Sequence, residues 1–217
     1  MRARFIAVAV ACALLASACS SGGGSTKPST SAKPTPQRVV STTTARGALL
    51  TGKDLGDTFT AGHYRAPTRS LFCASVGAPT VAKETSAAHL VGAQYSSRDP
   101  EANLVEDIYL YRSAAAARAA LTAVQGDMQC ATGHTYNADG STDIMAVGAA
   151  TDYSTRLTAD LAYGWSLRSL SLRGIQFAMV AKTALIMLKY TIGTKSDAGK
   201  LPDAFDLAGT AYDRVSR

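Results

Sequence analysis

Asn103-Leu104-Val105-Glu106-Asp107-Ile108-Tyr109-Leu110-Tyr111 runs directly into Arg112-Ser113-Ala114-Ala115-Ala116-Ala117-Arg118-Ala119-Ala120-Leu121, and the change of period between the two halves decides the fold class. The first half alternates. Leu104, Glu106, Ile108 and Leu110 fall on one side of an extended chain, and Val105, Asp107, Tyr109 and Tyr111 on the other. The second half has the alanine-rich composition of a helix, which is predicted over residues 113–130. Ser113 suits its N-cap, and Ala117, Leu121, Val124 and Met128 recur at helical spacing as a buried stripe.

Working outward, residues 87–97 read as a strand containing Leu90 and Tyr95. The link Arg98-Asp99-Pro100-Glu101 is a turn signal, so the two strands form an antiparallel hairpin. Beyond the helix, residues 134–142 form a polar loop and residues 144–153 a strand. Three strands follow over 163–172, 175–181 and 184–192, with turns at Arg173-Gly174 and Lys182-Thr183. The last segment is a helix with Pro202 in its first turn. Asp203 and Asp206 complement the N-terminal dipole, and Arg214 and Arg217 the other end. Its apolar face is Leu201, Phe205, Ala208, Tyr212 and Val215. Towards the N-terminus, residues 63–79 are irregular, interrupted by Pro67 and Pro79. Residues 45–57 form a short helical turn or docking segment. The order β-β-α-β-β-β-β-α predicts an α+β fold: an antiparallel sheet of about five to seven strands packed against two main helices, both on one face.

Not all 217 residues belong to that domain. Arg2 and Arg4 precede an apolar run over residues 5–15, the length of a signal h-region and too short to span a bilayer as a helix. Ala16-Ser17-Ala18 then leads to Cys19. The chain divides into a signal peptide over 1–18, a lipidated cysteine and flexible Ser/Thr/Pro/Gly tether over 19–44, and a domain over 45–217. Leu15-Ala16-Ser17-Ala18-Cys19 resembles a bacterial lipobox, while Ala16-Ser17-Ala18 also fits ordinary cleavage that would release a secreted protein. The Ser/Gly-rich stretch after Cys19 favours the first reading, because an anchored domain needs a spacer. The expected place is therefore the extracytoplasmic face of the cell membrane, held by a lipid.

Of the formal charge of +6, five units lie in the leader and the domain is near +1. Arg2, Arg4, Lys27, Lys33 and Arg38 precede residue 45, and the 17 remaining basic residues face all 16 acidic ones. The domain shows no basic stripe, which excludes a nucleic-acid partner. Of four cysteines, Cys12 leaves with the signal and Cys19 is the processing site. Cys73 and Cys130 remain, an even pair in an oxidising compartment. The simplest reading is a disulfide closing a 56-residue loop, a constraint of about 4 kcal/mol on the unfolded chain. The competing reading is two buried thiols.

Catalytic motifs are missing. His63, His89 and His134 lie in separate segments without metal-ligand spacing, and no G-x-S-x-G, P-loop or G-x-G-x-x-G sequence occurs. Glu106 and Asp107 point to opposite faces of their strand, so they cannot work as a close carboxylate pair. No enzyme, cofactor or metal site is expected. Two readings stand for the sheet: with the helices on one side, the other is left open as a binding face that carries Asp107, Tyr109 and Tyr111 with Trp165 on a later strand, or the same face is ordinary sheet packing with the tyrosines as core. Arg112 and Arg168 are the expected partners of Asp107.

The start Leu49-Leu50-Thr51…Asp54-Leu55, then Cys73, then the strand and alanine helix over 108–121 leading to Cys130, resemble the exported actinobacterial sensor domains similar to the extracellular domain of PknH-type serine/threonine kinases. The resemblance spans nearly all of residues 45–217. It implies an antiparallel sheet packed on helices and a cleft that takes a ligand. The kinase version has two disulfides, whereas this domain has cysteines for one. Three functions follow as expectations: a membrane-anchored ligand-binding or sensor-type domain, an envelope structural or protein-interaction lipoprotein without a small ligand, or an envelope hydrolase assembled from scattered residues.

Overall fold

In a computed structural model, residues 39–66, 85–136 and 142–217 are described. They all fall within the compact unit Pro36–Arg217. The alternating stretch is strand β3 (Glu101–Leu110), joined to β2 (His89–Arg98) by the expected turn in full antiparallel register, from His89 opposite Leu110 to Arg98 opposite Glu101. On its other side β3 pairs with β9 (Ala184–Gly193), a strand from the far end of the sequence. With β1 (Thr60–Ala61), β4 (Thr132–Tyr136), β5 (Thr142–Val147), β6 (Thr151–Asp152), β7 (Leu161–Arg168) and β8 (Leu172–Ala181), they build one antiparallel sheet of nine strands. The spatial order is β1-β2-β3-β9-β8-β7-β5-β4, with β6 also on β7.

The strand count exceeds the expected five to seven for a local reason. β1 and β6 are two-residue pairings too short to leave a periodic signal, and β4 lies within a stretch that partly reads as polar loop. The stretch 144–153, expected as one strand, is divided between β5 and β6.

The helices are α1 (Thr42–Ala48), α2 (Gly52–Leu55), α3 (Ala114–Asp127), α4 (Ser154–Leu157) and α5 (Ala204–Ser216), with a 3-10 turn at Ala198–Lys200. Ser113 caps α3 as expected, its side chain accepting from the Ala116 N–H at 3.1 Å. The last helix starts later than expected. Asp203 is the cap, accepting from the N–H groups of Phe205 and Asp206 at 2.8 and 3.3 Å, so Leu201 and Pro202 precede the helix. Its buried face is Leu207, Ala208, Ala211, Tyr212 and Val215. At the N-terminal edge, α1 begins inside the stretch read as tether, and the buried Val40 donates its N–H to Thr183 Oγ1 at 2.9 Å.

The two main helices lie on opposite faces of the sheet, which corrects the expectation of one covered face. Helices α1, α2 and α5 cover the side carrying Leu104, Ile108, Phe177 and Ile186. Helix α3 covers the side carrying Tyr109, Trp165, Val180 and Met187. The physical reason is in the central strands. Ala184-Leu185-Ile186-Met187-Leu188 is apolar at every position, and a strand with two apolar faces needs cover on both.

One turn is also displaced. Arg173 and Gly174 lie inside β8, and the β7–β8 reversal is at residues 169–171, closed by the Ser169 N–H donating to Leu172 O at 2.7 Å. Gly174 serves a close approach instead: a Cβ there would come within 2.1 Å of Tyr190 O on β9. The second turn is at Lys182-Thr183 as expected, with Lys182 in the left-handed region at φ 53°.

Candidate functional site

The residues expected to form an open face are covered. Tyr109 and Trp165 are 1% exposed and Tyr111 is 3% exposed, all packed with Leu121 and Val124 of α3. Asp107 is 7% exposed. Its partner is neither Arg112 nor Arg168. The Tyr64 hydroxyl donates to Asp107 Oδ1 at 2.5 Å, and the charge of Lys189 also favours the carboxylate. Burial outweighs both and pushes the Asp107 carboxyl up to about 6. Gly92 makes room for this contact, because a Cβ there would meet the Tyr64 ring. Arg112 is exposed after the end of β3. Arg168 is exposed on the opposite side of the sheet, alternating with Trp165 and Leu167 along β7. Tyr109, Tyr111 and Trp165 therefore belong to the core under α3, Asp107 is buried against Tyr64 on the same face of the sheet, and Arg112 and Arg168 do not join them. Cys19 and Cys73 lie outside the described residues. Cys130 follows α3, half-buried against the same cluster.

A cleft of about 750 Å³ lies on the other face, between the β5–β7–β8–β9 end of the sheet and residues 198–205. Its size is that of a small-molecule site. Ile175, Tyr190 and Ile192 line it from the strands, and Leu201, Pro202 and Phe205 from the segment that opens α5. That segment is anchored. The Phe205 ring packs edge-on against Tyr153 and Phe177, at centroid distances of 4.9 and 5.2 Å, and Arg156 stacks over it at 3.2 Å. The aromatic trio holds the first turn of α5 over the sheet and keeps the cleft wall in place.

The polar groups in the lining are few. Arg168 and Arg173 are directly opposed across the β7–β8 hairpin. Asp203 sits at the other edge, its Oδ1 committed to the cap of α5. Tyr190 is 5% exposed, and its hydroxyl has no hydrogen-bond partner among the described residues. Burial and the Asp203 charge push that hydroxyl up to about 12, so it stays a neutral donor. Among the described residues, no three His, Cys, Asp or Glu side chains converge as a metal site.

A second buried group escaped sequence reasoning. Glu106, fully buried, accepts the Leu50 N–H at 2.7 Å through Oε2, while Oε1 has no partner among the described residues. Burial pushes its carboxyl up to about 7, against the pull of that hydrogen bond. Around it the N-terminal segment is clamped. Tyr95 donates to Leu50 O at 2.8 Å, and Arg214 donates to Leu49 O at 3.0 Å while forking onto Asp54 at 2.6 and 3.0 Å. The available signal was a glutamate on the otherwise apolar Leu104–Ile108–Leu110 face of β3.

No protein-family model matches the sequence, and no curated protein is significantly similar to it. Among solved structures, the extracellular domain of PknH from Mycobacterium tuberculosis shares the fold, with a TM-score of 0.55. The alignment covers 83% of this chain and 96% of that one at 11% sequence identity. At that identity the likeness is one of fold. Among the described residues, no helix is long and apolar enough to cross a membrane.

Proposed function

We propose that this chain is an extracytoplasmic sensor-type domain that takes a small ligand in the cleft between the β7–β9 end of the sheet and the start of α5. The observation that carries the reading is the cleft itself: about 750 Å³, with an apolar floor, a wall held by the Phe205 aromatic trio, and a few polar groups at its edge. The fold shared with an extracellular domain supports the location. In the same reading Cys19 carries the lipid anchor and Cys73 pairs with Cys130, and the tether lets the domain stand off the membrane.

Native mass spectrometry of the chain isolated from its own membranes tests these parts together. The expected mass includes a lipid on Cys19, is two hydrogens below the dithiol, and carries a non-covalent adduct lost on denaturation. Ala198→Trp places an indole at an exposed position of the cleft lining and should remove the adduct while leaving the melting temperature in place. An adduct that survives Ala198→Trp would place the ligand elsewhere.

A further inference from the structure

We infer that the cleft is built for a single-chain anionic amphiphile: a carboxylate or phosphate head held by Arg168 and Arg173, with an alkyl tail along Ile175, Ile192 and Leu201. The inference rests on the cleft being a ligand site. Its first ground is the arginine pair. Like charges directly opposite each other on one face of a sheet destabilise it, and Arg168 and Arg173 are directly opposed across the β7–β8 hairpin. Among the described residues neither has an acidic partner. Two guanidinium forks side by side match the oxygens of one carboxylate or phosphate, which would relieve the repulsion as it binds.

The second ground is the rest of the lining. Behind the arginines the cleft becomes apolar, so the charged end of an occupant has one favourable orientation. Asp203, the negative group in the lining, lies at the α5 edge with an oxygen already accepting two backbone N–H groups. The β7–β8 reversal between the arginines carries Leu170, which is fully exposed. An apolar residue flanked by two cations suits a hairpin that meets an anionic lipid surface, so the amphiphile's source is either the aqueous phase or the membrane itself.

The test titrates the full chain with dodecyl phosphate and decanoate, with the uncharged monodecanoylglycerol as control and Nile red as a neutral reporter of the cleft. Both anions should displace Nile red at lower concentration than the control. The double variant Arg168→Gln with Arg173→Gln should weaken dodecyl phosphate about 10- to 100-fold while leaving Nile red in place. Sedimentation of the Cys19→Ser chain, which lacks the proposed lipid anchor, with phosphatidylglycerol vesicles separates the sources. Pelleting abolished by dodecyl phosphate identifies a membrane lipid, and failure to pellet identifies a dissolved amphiphile; each upholds the class. If the neutral control competes as well as the anions, or the double variant binds dodecyl phosphate unchanged, the anionic class is overturned while the cleft remains a ligand site. If Nile red and all three amphiphiles fail to bind, or Ala198→Trp leaves their binding unchanged, the cleft reading falls with it.

Discussion

Trp165 and Ser166 are neighbours on β7, yet one is 1% exposed beneath α3 and the other lines an open cleft on the opposite face. The whole sheet divides in this way. The α3 face carries Tyr109, Tyr111, Trp165 and Asp107, a composition that suggests recognition, and all four are buried. At the β7–β9 end, the α5 face presents arginines, isoleucines and a tyrosine that share no motif, and leaves about 750 Å³ open. Aromatic rings with a carboxylate describe a binding site and a satisfied core equally well. What distinguishes them is whether an element lies on top.

The largest effect should come from Trp165→Ala. Removing a buried indole from a packed cluster costs about 3–5 kcal/mol, read as a lower urea midpoint. Ligand binding in the other-face cleft should persist in whatever fraction stays folded. A stable Trp165→Ala protein that has lost its ligand would reverse the assignment of the two faces.

The next effect sharpens the comparison through the two buried carboxylates, one on each face. Glu106 has a folded pKa near 7 against an ordinary 4.5, and Asp107 one near 6 against 3.8. Both are raised, so the folded state binds more protons than the unfolded chain between those values. Their contribution to stability is therefore fullest in acid, falls as the pH rises from about 4 to 7, and is level above that. The loss amounts to a few kcal/mol. Glu106→Gln keeps an oxygen for the Leu50 N–H and removes the titration. Its melting temperature should change less between pH 4.5 and 7 than that of the parent. A variant that follows the parent's curve would mean that Glu106 does not titrate in this window.

The smallest effect on stability belongs to the cleft rim. Arg168→Gln with Arg173→Gln should leave the unfolding midpoint within about 0.5 kcal/mol, or raise it slightly as the opposed charges vanish. A large destabilisation would show that the pair supports the sheet rather than a ligand.

Much of the frame is legible along the chain. Residues 101–110 show their strand by alternation, the Asp99-Pro100 turn sets the β2–β3 hairpin, and Ser113 opens α3 where a capping side chain should. These signals are local: each depends on residues within a few positions of one another. The misplaced β7–β8 turn shows the limit of that logic. Arg173-Gly174 has turn chemistry, but Gly174 is needed where β9 comes close, a contact with Tyr190 that is sixteen residues away in sequence. Glu106 was visible as an anomaly on an apolar face, but its role required the Leu50 backbone, 56 residues upstream.

By itself the sequence determined the α+β class, the antiparallel hairpins and the two amphipathic helices, because period and caps are properties of short segments. It also held an unread statement about cover, since the fully apolar run 184–188 demands packing on both sides. Only the tertiary structure decided which helix covers which face, and so which polar and aromatic residues are core and which line a site. Alternation separates the two faces of a strand but does not label them. The label comes from where the chain, many residues later, lays down α3 and α5, and the cleft exists because residues 198–205 arrive beside β5, β7 and β8, strands well removed from them in sequence, as well as beside the adjoining β9.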